Sequence, residues 1–151
     1  MTATGRGVCC PDTAARLALS LMNHAAADSR IRVLIVDDDR PFLRSLQELI
    51  DRQPELVVIG AAEDGLEAID LANELDPDAV VLDVHMPLLD GVSAAARLRR
   101  DRPHLCLIAL TGDEAPALHQ AVREAGADDV LLKSELVERL LERLTRVRAG
   151  N

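Results

Sequence analysis

Ile31-Arg32-Val33-Leu34-Ile35-Val36-Asp37-Asp38-Asp39 is the stretch that decides the fold. Its first six residues are almost wholly apolar and rich in β-branched side chains, as expected of a strand buried on both faces. The three aspartates that follow put acid at the strand's carboxyl end. Four more runs of the same kind come after it: Leu56-Val57-Val58-Ile59, Ala79-Val80-Val81-Leu82, Leu105-Cys106-Leu107-Ile108-Ala109-Leu110 and Val130-Leu131-Leu132.

Between these runs the apolar spacing changes to three and four, the period of a helix face. Phe42, Leu43, Leu46, Leu49 and Ile50 form one such face, with Pro41 in the first turn and Asp39 as the expected N-cap. Leu66, Ile69, Ala72 and Leu75 form a second, ending before Pro77, and Val92, Ala95 and Leu98 a third, ending before Pro103. Leu118, Ala121, Val122 and Ala125 form a fourth, closed by Gly126. Leu136, Val137, Leu140, Leu141, Leu144 and Val147 form the fifth, with Ser134 as its expected N-cap. Strands alternating with helices imply a parallel sheet with right-handed crossovers and helices on both faces. Five units are too few for an eight-fold barrel, which leaves a doubly wound open α/β sheet.

Composition narrows the function. The chain has 151 residues, enough for one domain, and is 48% hydrophobic with a single Phe, no Tyr and no Trp. Its core must be aliphatic, and it has no aromatic platform on which single-stranded nucleic acid could stack. The net charge of −9 argues against a direct nucleic-acid partner. Three cysteines, two of them the adjacent Cys9 and Cys10, match neither a disulfide scaffold nor a zinc site and suit a reduced, cytoplasmic protein. Residues 1–29 read as a flexible extension in which 12–22 could form a short helix. The run Leu17-Ala18-Leu19-Ser20-Leu21-Met22 is too short for a secretory signal and abuts Arg16. No segment reaches the ~20 apolar residues of a membrane span. The domain itself is expected over 30–148, with 149–151 as a tail.

In doubly wound sheets, ligands bind beyond the carboxyl ends of the strands. Strand 1 delivers Asp37, Asp38 and Asp39 there, strand 3 Asp83, strand 4 Thr111 and strand 5 Lys133, the only lysine in the chain. Strand 2, ending in Gly60-Ala61-Ala62, offers nothing comparable. Each of these residues alone has a plain structural explanation, such as a helix cap, a turn or a solvated charge, but their convergence on one edge does not. Two carboxylates about 4 Å apart repel by roughly 4 kcal/mol at an effective dielectric of 20, so the cluster is expected to take up a proton or a cation. Oxygen-only donors in small number suit Mg2+, with Mn2+ as the alternative. One carboxylate could then attack phosphorus, while a cation, Lys133 and the Thr111 hydroxyl offset charge on the phosphoryl oxygens.

The runs Val33-Leu34-Ile35-Val36-Asp37-Asp38-Asp39, Val81-Leu82-Asp83-Val84-His85-Met86-Pro87, Asp90-Gly91, Leu110-Thr111-Gly112 and Gly126-Ala127 through Leu132-Lys133 resemble the receiver domain of bacterial two-component response regulators. The resemblance covers about residues 30–148. It implies a flavodoxin-like (βα)5 sheet with strand order 2-1-3-4-5. It makes Asp83 the phosphoacceptor, fed by a histidine kinase or phosphotransfer protein. It makes Asp38, Asp83 and the backbone carbonyl of His85 the metal ligands, with Asp37 completing the acidic pocket, directly or through water. Thr111 and Lys133 would stabilise the phosphoryl group. The output would be a protein partner or a homodimer formed through the face of helix 4, strand 5 and helix 5, with no nucleic acid or membrane contacted directly.

Three positions depart from the usual pattern. Val130 stands where many receivers carry an aromatic residue that moves with the threonine, so the switch region of Thr111 and Val130 lacks its usual readout. Ser134 stands where proline often follows the lysine. His85 borders the phosphoryl site and is a candidate modulator of its lifetime. After Lys133 only one helix and a short tail follow, which suggests a single-domain regulator. The alternatives are the receiver half of a DNA-binding regulator and a phosphorylation-independent interaction module. Two enzyme classes fit less well. A dehalogenase-type phosphatase would need a carboxylate pair after the lysine, and a flavin-binding protein would not place three aspartates where a phosphate binds. The only reactions expected are self-directed phosphotransfer and autodephosphorylation.

Overall fold

The computed structural model describes residues 30–86, 89–112 and 114–149. The candidate helix over 12–22, Cys9, Cys10, Pro87 and residues 150–151 lie outside them. Five strands, β1 (Ile31–Val36), β2 (Leu56–Ala62), β3 (Ala79–Asp83), β4 (Cys106–Thr111) and β5 (Asp129–Leu132), pair in parallel in the order β2-β1-β3-β4-β5. They alternate with α1 (Arg40–Asp51), α2 (Gly65–Leu75), α3 (Gly91–Asp101), α4 (Pro116–Ala125) and α5 (Leu136–Ala149). This is the doubly wound, flavodoxin-like architecture with strand order 2-1-3-4-5 expected from the alternation and the resemblance.

Side chains along each strand point alternately to opposite faces, and the core divides accordingly. Ile31, Val33 and Ile35 pack with Val81, Ile108 and Leu110 beneath Leu43, Leu46 and Ile50 of α1 and Leu140, Leu144 and Val147 of α5. Leu34 and Val36 pack with Val80, Leu82, Leu107 and Ala109 beneath α2, α3 and α4. Two covered faces are the reason the strands read as unbroken apolar runs.

Two local features differ from expectation, a bulge in β2 and the start of α5. β2 ends in Gly60-Ala61-Ala62 as read, and these pair with Leu34, Ile35 and Val36 although small residues carry little strand propensity. The ladder slips once between Val33 and Leu34, because Val33 faces Val58 while Leu34 faces Gly60, leaving Ile59 as a bulge. Ser134 lies inside a 3-10 turn (Lys133–Glu135) instead of capping α5, which begins at Leu136.

Other local signals behave as read. The Phe42 N–H donates to Asp39 Oδ1 at the start of α1 (3.3 Å). Gly126 closes α4 at φ 127°, a left-handed conformation that favours glycine. Arg99 on α3 ties this corner down, donating to the carbonyls of Gly126 (3.0 Å), Pro103 (2.8 Å) and Leu105 (2.7 Å) and to Asp128 (2.8 Å).

Candidate functional site

The carboxyl ends of β1, β3, β4 and β5 bring the expected residues to one edge. Asp37, directly after β1, and Asp83, the last residue of β3, are nearly inaccessible, whereas Asp38 is exposed. Asp37, Asp38 and Asp83 each present a carboxylate oxygen within 4.8 Å of the others. Lys133 Nζ reaches in from the end of β5, 2.7 Å from Asp37 Oδ2 and 3.5 Å from Asp83 Oδ1. Thr111 is fully buried at the end of β4, level with Leu132, the neighbour of Lys133. His85 is exposed, and its backbone hydrogen-bonds the Asp83 carboxylate. Val130 is buried in the core between the sheet and α2–α4, beside Ala109 and two residues before the end of β5.

The electrostatics follow from this packing. Burial, then the Asp37 charge, push Asp83 up to about 6, against the opposing pull of Lys133 and the His85 backbone. For Lys133, burial acts downward, but its hydrogen bond to Asp37 and the charge of Asp83 outweigh that and raise it above the ordinary lysine range. The Asp37 carboxylate is held on both oxygens: Oδ1 accepts from the Asp39 N–H (2.9 Å) and Oδ2 from Lys133. A buried acid with an elevated pKa, an exposed acid beside it and oxygen donors alone make a set that fits a small, hard divalent cation.

Three contributors were not evident in the sequence. The strand that seemed to offer nothing holds the site's backbone, since the Asp37 N–H donates to the Ala62 carbonyl at the end of β2 (3.0 Å). Gly91 lets α3 start against the acceptor strand: a Cβ there would fall 2.4 Å from Val84 Cα and 2.6 Å from the Asp83 carbonyl oxygen. Phe42 sets its ring centroid 4.4 Å from Lys133 Nζ. Its status as the sole aromatic was the only available hint.

The sequence profile described as the response regulator receiver domain matches residues 33–145. This chain belongs to the receiver domain family. The receiver is 41% identical over 114 residues to response regulator MprA of Mycobacterium sp. (strain KMS), covering 76% of this chain and 49% of that protein. It thus spans about half the length of that relative. Among solved structures, the response regulator domain of Thermotoga maritima CheB superposes with a TM-score of 0.74 at 32% identity, covering 81% of this receiver and 98% of that chain. The isolated REC domain of RcsB from Salmonella enterica serovar Typhimurium, solved in the presence of phosphomimetic BeF3−, gives a TM-score of 0.74 at 26% identity, covering 81% and 91%. Among the receiver's described residues, no helix is long and apolar enough to cross a membrane.

Proposed function

We propose that this receiver, as a domain over residues 30–148, is a phosphoacceptor of a two-component phosphorelay and that Asp83 carries the phosphoryl group. The observation that bears most weight is the position of the Asp83 carboxylate, buried at the centre of the strand ends with two more carboxylates and one ammonium around it. An Asp83 oxygen attacks phosphorus as the bond to the donor's leaving group breaks, giving an acyl phosphate. The donor is a histidine kinase, a phosphotransfer protein or a small acyl phosphate.

Mg2+, or Mn2+ in its place, would be held by Asp38, Asp83 and the His85 backbone carbonyl. Asp37, whose two oxygens already accept hydrogen bonds, would act through water. Bound there, the cation supplies charge stabilisation at the transferring group. Lys133 neutralises a phosphoryl oxygen by shifting from Asp37 toward Asp83, and the Thr111 hydroxyl donates to another. The exposed His85 side chain borders the group and tunes its hydrolysis.

The signal leaves through the face of α4, β5 and α5, to a protein partner or a second copy. Val130 in place of an aromatic residue makes Thr111 and the backbone around it the coupling element. The surroundings are the cytoplasm, and the chain's own chemistry is confined to gaining and losing its phosphoryl group.

Intact-mass analysis after incubation with Mg2+ and acetyl phosphate tests this reading. One phosphoryl adduct is expected on the wild type and none on Asp83→Asn or on the wild type without the metal. A wild type that stays unmodified and also fails to bind beryllofluoride would overturn it.

A further inference from the structure

We infer that Phe42 is a positioning residue for Lys133, its ring backing the ammonium and holding it against the Asp37 and Asp83 carboxylates. The only aromatic and the only lysine among 151 residues meet at this point. The ring centroid lies 4.4 Å from Nζ, well inside the roughly 6 Å over which a ring face attracts a cation. Lysine carries its charge on a flexible four-carbon stem, and this side chain is 28% exposed, so two carboxylates on one side leave it a path toward solvent. The ring occupies another side. An aliphatic residue would serve the packing beneath α1 equally well, as Leu43, Leu46 and Ile50 do, but would offer the ammonium no negative face.

The ring's place is fixed by the segment that makes the acidic pocket. The Asp39 N–H donates to Asp37 Oδ1, and the Asp39 carboxylate caps α1 by accepting from the Phe42 N–H. Residues 37–42 therefore deliver both the carboxylate that binds Lys133 and the ring that backs it. Three groups then surround the ammonium: Asp37 at 2.7 Å, Asp83 at 3.5 Å and the Phe42 ring. The functional consequence rests on the phosphoacceptor reading; the contact itself does not.

A chain with one lysine allows a direct test. In metal-free protein grown with lysine labelled at Cε, a single lysine resonance is expected. Its ε-methylene protons should be shifted upfield by the ring in the wild type and in Phe42→Tyr, and should return to the free-lysine position in Phe42→Leu. A free-lysine position in the wild type overturns the inference, even if Phe42→Leu does not fold. In the second arm, Phe42→Leu should weaken beryllofluoride binding roughly threefold to tenfold. Phe42→Tyr should retain it, and in a Lys133→Met background Phe42→Leu should add nothing. Equal affinity in wild type and Phe42→Leu, or an equal loss in the Lys133→Met background, would also overturn it. Failure of the wild type to bind beryllofluoride counts against the phosphoacceptor reading, while the resonance still decides the role of Phe42.

Discussion

Lys133 Nζ sits 2.7 Å from Asp37 Oδ2 and 3.5 Å from Asp83 Oδ1, so the ammonium is held more closely by the acidic pocket than by the proposed acceptor. It occupies the space between two carboxylates that a cation would otherwise neutralise.

Lysine and metal therefore compete for the same negative charge. Lys133→Met should tighten Mg2+ binding, on the order of tenfold, because one positive charge is removed from beside the site. The same variant should bind beryllofluoride measurably but more weakly than the wild type. Calorimetric titration of both ligands checks the pair of outcomes. Unchanged or weaker Mg2+ binding would show that Lys133 does not oppose the cation.

Asp83 supplies a pH dependence of unusual sign for a carboxylate. Its folded value is raised from 3.8 to about 6, chiefly by burial and by Asp37, so the folded chain holds a proton that the unfolded chain has already released. Stability from this group is present below about pH 4, declines as pH rises toward about 6 and levels off above. The decline should be on the order of 2 kcal/mol in metal-free buffer and absent from Asp83→Asn. Denaturant titrations in EDTA across this range measure it.

Gly91→Ala should cost about 2 kcal/mol and displace the loop that carries His85, because its Cβ would fall 2.4 Å from Val84 Cα. Gly112→Ala is the matched control. Nothing lies within 4 Å of its Cβ, so it should stay within about 0.5 kcal/mol of the wild type. Urea midpoints compare the two.

Arg99→Ala removes a partly buried guanidinium bound to four carbonyls and Asp128, whose Oδ2 also accepts from the Leu107 N–H (2.8 Å). A loss of about 2 kcal/mol is expected, with the phosphoryl site intact. Thermal melts together with a Mg2+ titration separate the two effects.

The elements that periodicity defined most sharply, β1 and α1 among them, are where their residues predicted them. The site was legible for the same reason. Asp37, Asp83, Thr111 and Lys133 are polar residues placed directly after, or as the last residue of, apolar runs, so topology alone brings them together. The bulge in β2 was not legible, because Gly60, Ala61 and Ala62 follow Ile59 without a break in sequence and the slip shows only in their pairing with Leu34, Ile35 and Val36. Ser134 misled because its cap-forming chemistry is local, while the chain leaving Lys133 first tightens into a 3-10 turn. Phe42 read only as core, since nothing nearby in sequence says that a lysine at the end of β5 will rest on it.

The bulge at Ile59 has a consequence for how copies of the domain meet. β2 and β5 are the two rims of the sheet, and the outward backbone of such a rim is where a neighbouring chain could add a strand, although the Val58 N–H of β2 already donates to Asp51. The extra residue breaks the even spacing along one rim: Leu56 belongs to the core under α1 and α5, while Ala62, six residues on, belongs to the opposite one. A strand arriving in regular register could match the first half of that rim or the second, but not both. The irregularity therefore discourages fibril-like stacking at β2 and leaves helical faces as the better route to self-association.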